Sequence, residues 1–503
     1  MIQLPKLDEN MGRPIYVELS DHIKKEIING NLAEHGKLPS VRKLAELLGI
    51  STTPVEWAYQ QLVAEGYIYS LPRRGYRIRA MTDNYSAIQI PMEDSHSGNT
   101  GEQIQYPKSD ESAIRPARRV HYDFHMSRND FSLFPFAKWH QYTNRIWREE
   151  SEELLFYGDP QGEWGLRCEI ASYLRQFRGV NCTPKHVVVG AEQHLLLSLL
   201  AQTLRQLGGV QTIGVENPGY RLLPGTFRNS GYEVVPVSLD DEGIYLTELN
   251  RLKVDLLGVS PSHQFPLGMA MPIARRLALL DWAERTEAYI IEDDYDGEFR
   301  YHGRPIPSMQ GLRESGRVIY MGGFSQVLAP TLCIHYMVLP EELMLPFREM
   351  YKSVLFEQSA SRLHQRTLEV FMHEGELGKH IRKMRNHYRR KHDLLIQSIR
   401  HHFGEQVDII GQNAGFHLVL RIESARTAAE MAAAAVNEGI QISSTEYLWA
   451  DGERPADGKK EFMIGFAGID AERIEPGIAA LAKVWNDLHF RCTAPSRNKE
   501  TSS

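Results

Sequence analysis

Cysteine is nearly absent: the 503 residues contain four, Cys168, Cys182, Cys333 and Cys492, with no Cys-x-x-Cys pair among them. Such scatter excludes a disulfide scaffold and a zinc module and points to a reducing compartment. Long apolar runs are missing too, none approaching the roughly 18 residues that a membrane helix needs. Met1 to Asn10 carries acids and a proline where a secretory signal has a cationic start and an apolar run, so a cytoplasmic protein without membrane contact is expected. A basic excess is also lacking. Against 64 Asp and Glu stand 57 Lys and Arg, a net charge of −7, which excludes a blanket nucleic-acid coat but leaves room for one basic surface. There is no Gly-x-Ser-x-Gly elbow, no Gly-rich loop ending in Lys-Ser/Thr, and no pair of histidines spaced around a glutamate on a helix. The adjacent His401 and His402 do not make a metal site, no metal is expected, and His380 and His387 read as helix-surface residues.

What remains is a globular composition, 42% hydrophobic and 24% charged, long enough for several domains. Residues 1–80 form a first unit. Residues 81–121 are mostly Ser, Asn, Gly, Pro and acids, as in Glu93 to Glu102, and read as a flexible linker. Apolar runs alternating with amphipathic stretches then fill 122–490, and 491–503 read as a frayed tail.

In the first unit, Ile15, Leu19, Ile23 and Ile27 repeat at helical spacing between Pro14 and Gly30. Ser40 opens a helix that Gly49 closes, and Ser51 caps another over Thr52 to Glu65. Two helices joined by so tight a glycine turn form a helix-turn-helix. Tyr67 to Ser70 and Tyr76 to Arg79 alternate at strand period around Leu71-Pro72-Arg73-Arg74-Gly75, a hairpin with a cationic tip. The second helix of such a pair lays its first residues on base edges while arginines of the wing meet phosphates, so double-stranded DNA is the expected partner.

Lys37-Leu38-Pro39-Ser40-Val41-Arg42, Leu48-Gly49-Ile50-Ser51, Ala58-Tyr59 and Glu65-Gly66-Tyr67 resemble the winged helix-turn-helix of the GntR family. The resemblance covers about Gly12 to Arg79 and implies DNA contacts from Arg42, Ser51, Thr52, Thr53, Arg74 and Gly75. The family usually has an arginine after the serine that opens the recognition helix. Here Thr52 stands there, so a guanine contact worth roughly 1–3 kcal/mol of discrimination is lost.

In the large segment, apolar runs at Val187–Val189, Gln211–Val215, Leu256–Val259, Tyr289–Ile291 and Val318–Tyr320, each separated by a helical pattern, predict a parallel sheet buried on both faces. Ligand sites of such sheets lie beyond the strand carboxyl ends. Tyr157 to Gly162 with Leu166-Arg167, Gly190 to Gln193, Glu216 to Tyr220, Pro261 to Gly268, Glu292 to Tyr301 and His380 to Arg385 follow in order. With the DNA reader, they resemble the MocR subgroup of GntR regulators over about Tyr122 to Phe490. The implied fold is a multidomain chain. An N-terminal α+β winged helix-turn-helix precedes an α/β fold-type-I transferase-like domain, with a parallel-rich central sheet and a smaller α+β C-terminal lobe.

That resemblance implies pyridoxal 5′-phosphate as cofactor. Gly190, Ala191 and Glu192, opening the helix Gln193 to Leu207, would face its phosphate, and Tyr220 would stack on the ring. Asp293, with Asp294 as the competing register, would hold the pyridine nitrogen, and Tyr295 the ring hydroxyl. The decisive stretch is Gly322 to Ile334. The family has Ser-Lys here and an arginine seven residues later; this chain has Ser325-Gln326 and Cys333. An amide nitrogen delocalised into its carbonyl cannot form a Schiff base. Lys352, Lys379 and Lys383 read as solvated helix residues.

The expected protein is a DNA-binding regulator, homodimeric by resemblance. Its aminotransferase-like domain would sense a small-molecule effector, whether pyridoxal phosphate, an adduct of it or another small anion, held by Ser325, Gln326 and the residues above. No catalytic residue is expected. The alternatives are an active aminotransferase carrying a DNA module and a ligand-free repressor.

Overall fold

The computed structural model describes residues 14–71, 75–79, 120–126, 129–301, 306–313, 316–354, 360–450 and 458–493. The chain divides into two compact units, Met1–Ser109 and Asp110–Ser503. The expected linker falls almost wholly outside the described residues, as does the tail beyond Thr493.

The small unit is built from α1 (Ile15–Ile28), α2 (Val41–Leu48) and α3 (Thr52–Ala64) with the hairpin β1 (Ile68–Leu71) and β2 (Gly75–Ile78). Ser40 accepts a hydrogen bond from the Lys43 amide and starts α2, and Gly49 closes it at φ 67°, a left-handed conformation that costs glycine little. Leu19, Ile23 and Ile27 of α1 pack on Leu44, Val55, Ala58, Tyr59 and Leu62, with Ile68 and Ile78 of the hairpin closing the core. Two details differ from the sequence reading. Ser51 sits at the N-cap of α3 with no side-chain capping bond, and Glu65 lies just past the helix, paired with Lys24 at 2.6 Å.

The large unit opens with β3 (Tyr122–Asp123), α4 (Phe136–Glu149) and α5 (Trp164–Phe177). Then come β4 (Val187–Gly190), α6 (Gln193–Leu207), β5 (Thr212–Asn217), α7 (Leu222–Asn229), β6 (Glu233–Asp240), β7 (Gly243–Ile244) and α8 (Leu246–Leu249). After β8 (Leu256–Val259), α9 (Ile273–Thr286), β9 (Tyr289–Asp293), β10 (Val318–Gly323) and β11 (His335–Val338) complete one sheet. Its strand order is β4-β11-β10-β9-β8-β5-β6-β7. β11 runs antiparallel to both neighbours and β7 antiparallel to β6; the pairings among β10, β9, β8, β5 and β6 are parallel.

The sheet is therefore mixed, because the sequence reading missed β6, β7 and β11. A helix does not separate β9 from β10 among the described residues, where only a 3-10 turn at Gln310–Leu312 appears. The apolar runs have the expected cause. Neighbouring residues face opposite layers, Leu256 and Ile291 the core with α6 and α7, Leu257 and Ile290 the core with α9.

Helices α10 (Glu341–Val354), α11 (Arg362–His373) and the 28-residue α12 (Glu376–Phe403) lead to the second lobe. That lobe holds β12 (Val407–Ile410), β13 (His417–Glu423), α13 (Ala428–Asn437), β14 (Ile440–Gln441), β15 (Ser443–Ser444), β16 (Lys459–Gly465) and α14 (Ala471–Thr493). β12, β13, β16 and β15 form an antiparallel sheet, and β14 pairs with β3. The smaller α+β lobe is thus present. His380 is not a helix-surface residue, because α12 is covered on more than one side, whereas His387 keeps a third of its side chain exposed. His380 is buried with Nε2 2.8 Å from the Val327 carbonyl, and His387 Nε2 lies 2.8 Å from Asp130.

One buried ion pair fixes the segment after β9. Arg178, just past α5, donates through Nε to Asp294 at 2.6 Å and through Nη2 to Ser262 Oγ at 2.8 Å, and both members of the ion pair are buried. Gly297 lies so close that a Cβ there would meet the Arg178 guanidinium at 2.6 Å. Removing one partner strands the other charge, so Arg178→Met should destabilise the large unit by about 3–5 kcal/mol. Adding Asp294→Asn should recover part of that loss, which urea unfolding of the two variants will measure.

Candidate functional site

The residues expected to face DNA lie in the small unit. Val55, Ala58, Tyr59 and Leu62 bury one face of α3, leaving Thr52, Thr53, Glu56, Trp57 and Gln60 on the exposed face beside exposed Ser51. Arg42 is exposed on α2, and Gly75 opens β2 at φ 82°; Arg74 lies outside the described residues. The sequence reading passed over Glu56 and Trp57. Trp57 is 54% exposed, with its ring edge-on to Tyr16 at 5.7 Å. Helix α3 carries no lysine or arginine; among the described residues the small unit's cations stand on its other segments, at Lys24, Lys25, Lys37, Arg42, Lys43, Arg77 and Arg79.

In the large unit, a cleft lies beyond the carboxyl ends of β5, β8 and β9, where a parallel sheet opens. Its polar lining is Gln193, Glu216, Tyr220, Ser260 and Asp293, and its walls include Val215, Val259, Ile291 and Met321. Asp293 accepts a hydrogen bond from Gln193 Nε2 at 3.1 Å. Asp294 points elsewhere, to Arg178 and the Tyr320 hydroxyl, so Asp293 is the acid on the cleft. Tyr220 is half-exposed at the mouth, edge-on to Phe265 at 5.8 Å. Glu216, whose role the sequence reading left unassigned, accepts from the Ser260 amide and from Gln264 Nε2, both at 3.3 Å.

Burial is the largest influence on both acids. It lifts Asp293 from its ordinary 3.8 to about 7, with Asp294 and Asp296 adding to the rise and Gln193 opposing it. Glu216 rises from 4.5 to about 8, its two hydrogen bonds resisting. Among the described residues no cationic side chain lines the cleft.

The remaining expected residues form a separate corner. Gly190 ends β4, Ala191 and Glu192 follow, and Ser325 and Gln326 follow β10. His335, the first residue of β11, bridges them: Nδ1 lies 3.1 Å from the Ala191 carbonyl and Nε2 2.9 Å from Ser325 Oγ. No sequence motif marked that histidine. Cys333 Sγ donates to Glu192 Oε1 at 3.5 Å. Gln326 Oε1 accepts from Asn129 Nδ2 at 2.6 Å. Tyr295 does not line the cleft; its hydroxyl lies 2.9 Å from His263 Nδ1, which is 2.8 Å from Asp296.

Lysines near these residues are committed. Lys352 and Lys379 are exposed and paired with glutamates on their own helices, and Lys383 is exposed. Lys391, the buried lysine among the described residues, donates to Asp130 at 3.0 Å and to the Ala467 carbonyl at 2.9 Å.

A pyridoxal phosphate would find only part of what it needs. Asp293 and Tyr220 suit a pyridine ring. The aldehyde would meet an amide instead of an amine, and the phosphate would meet a carboxylate and a histidine already bonded to Ser325. The residues present do not fit the complete group.

Comparison with known proteins bears on both units. Residues 15–78 match the family of bacterial regulatory proteins, gntR family, and residues 123–481 match aminotransferase class I and II. The chain is 37% identical to the uncharacterized HTH-type transcriptional regulator YhdI of Bacillus subtilis, over 96% of this chain and 98% of that one. It is 32% identical to the probable rhizopine catabolism regulatory protein MocR of Rhizobium meliloti, covering 97% of each. The kynurenine aminotransferase of Pyrococcus horikoshii superposes with a TM-score of 0.66 at 23% identity, over 73% of this chain and 91% of that one, a likeness of fold.

Two measurements follow from this geometry. Asp293 and Glu216 keep their protons in the folded chain at pH values where the unfolded chain has lost them. Their contribution to stability is therefore complete below about pH 4 and is lost as pH rises through about 7 to 8. Asp293→Asn should flatten that fall and stabilise the ligand-free protein near pH 8 by on the order of 1–3 kcal/mol, read by urea unfolding across the range. On the DNA side, Arg42→Ala should lower the slope of log affinity against log salt by about 1.

Proposed function

This chain belongs to the gntR family of bacterial regulatory proteins and, over most of its length, to the class I and II aminotransferases, and from that premise we propose that its large domain is a ligand sensor that performs no Schiff-base chemistry. It is a transcriptional regulator of the MocR type, with an aminotransferase-like domain joined to a DNA-reading one. One observation carries the sensor reading. Gln326 stands where the resemblance requires a lysine, and its carbonyl accepts a hydrogen bond from Asn129. An amide there can recognise a ligand by hydrogen bonding but cannot bond to it covalently.

The class I and II aminotransferase fold is pyridoxal-phosphate dependent, which is why that cofactor, an adduct of it or another small anion was the expected effector. Asp293 and Tyr220 would serve the ring of such a ligand. Asp293 holds a proton at its carboxyl or passes it to a ring nitrogen, Tyr220 covers the ring from the mouth, and the apolar walls exclude water. Ser325, Ala191, Glu192 and Gly190 would border the opposite end, and Tyr295 would act from behind through His263.

The effector domain is further read as the pairing surface of a homodimer. Leu155, Phe156 and Tyr157 are consecutive and 78%, 73% and 72% exposed, an apolar ribbon of the kind a second copy covers. Ligand binding then favours one arrangement of the paired DNA readers, by as much as its affinity differs between the two arrangements. Arg42, Ser51, Thr52, Thr53, Arg74 and Gly75 are the proposed DNA contacts.

The rival is an active aminotransferase with a DNA module, which requires an amine in the cleft. Incubation with pyridoxal phosphate, borohydride reduction and peptide mapping should label no lysine, while the full chain should enrich a defined duplex from a random library. A labelled lysine with turnover of an amino acid and a keto acid would establish the rival instead.

A further inference from the structure

The two ends of the site have opposite electrical characters from those a phosphorylated cofactor needs. A phosphate dianion only accepts, so its binding site must supply donors or cations. At the corner between β4 and β10 the side-chain donors are already committed from within. The Ala191 carbonyl can only accept, so the imidazole hydrogen of His335 lies on Nδ1, and Nε2 must accept from the Ser325 hydroxyl. That assignment commits the Ser325 proton to His335. Burial also lowers the affinity of His335 for a second proton, which keeps the ring neutral.

Space and charge agree with the hydrogen bonding. His335 lies flat against Gly323, where a Cβ would meet its ring at 2.4 Å. Cys333 stands in place of an expected arginine and donates to Glu192, so the charged group at this corner is a carboxylate. At the other end, Asp293 and Glu216 share an apolar-walled cleft that no cation among the described residues lines.

We propose that this cleft binds a planar nitrogen heterocycle protonated at the ring and carrying no phosphate, and that it discriminates against phosphate esters of the same ring. Asp293 takes the ring N–H, Tyr220 covers the ring, and Glu192 with His335 turns away an anionic substituent. This rests on the sensor reading and specifies its ligand class.

Pyridoxine and pyridoxine 5′-phosphate provide the test, since both lack an aldehyde and differ only in the phosphate. In calorimetric titration of the full chain, pyridoxine should bind at least tenfold more tightly than its phosphate. Asp293→Asn should weaken pyridoxine at least tenfold. The triple change Glu192→Gln, Cys333→Arg and His335→Gly should reverse the preference. Equal or tighter binding of the phosphate by the unaltered protein overturns the proposal, as does binding of neither compound; neither result needs a variant that folds. The sensor reading is decided separately. If pyridoxine binds but leaves the affinity for DNA unchanged, the ligand class stands and sensing does not.

Discussion

The strand β9 delivers several acids to one place, and the cations present do not neutralise all of them. Along Glu292-Asp293-Asp294, successive side chains enter different surroundings. Glu292 accepts from the amides of Met309 and Gln310, Asp293 reaches the cleft, and Asp294 meets Arg178. Asp296 has His263 close by. Asp293 and its neighbour Glu216 have only neutral donors. A carboxyl taken out of water without a cation holds its proton to higher pH, and it gains most from a partner that brings positive charge. The cleft is thus defined by two carboxyls that no cation of the described residues holds ionised.

The opposite corner is closed by the same logic run in reverse. At the side chains where a phosphate would need a donor, this chain has bonded that donor to itself or put an acceptor in its place. Ser325 is bonded to His335, Cys333 to Glu192, and Gln326 presents its carbonyl to Asn129. The loss of the amine is therefore accompanied by changes around the phosphate position. A site that had merely lost a lysine would leave its phosphate corner open.

Most of the architecture was legible because it depends on local rules. The i, i+4 spacing of α1, the Ser40 and Gly49 caps and the doubly buried strands β4, β5, β8, β9 and β10 all state their environments in their residue order. β6 follows α7 and pairs parallel with β5 but carries a proline within its alternating run, whereas β11, only four residues, inserts antiparallel between β4 and β10 and so breaks the helix-strand rhythm. His380 of α12 was misjudged because a helix that touches more than one neighbour has no single polar side. The site was legible only in part. Motif order placed Asp293 and Tyr220 near a ring site, but the choice between Asp293 and Asp294 depended on Arg178, distant in sequence. His335 matters through one bond to Ala191, far along the chain, and one to Ser325, ten residues back, and nothing in its neighbours signals that.

Both units keep cations away from the point of recognition. Around α3 they stand on neighbouring elements, where they can hold a DNA backbone while the helix presents Thr52, Thr53, Glu56 and Trp57. Affinity and discrimination are then carried by different residues, because phosphate contacts position a protein and base contacts specify the sequence. In the large unit no cation among the described residues lines the cleft, so selection falls to ring shape and ring protonation. A noncovalent ligand chosen on those terms leaves by breaking a few hydrogen bonds and contacts, whereas one joined to a lysine must first undergo bond exchange. Reversible occupancy is what a regulator requires if its DNA readers are to follow the concentration of the ligand.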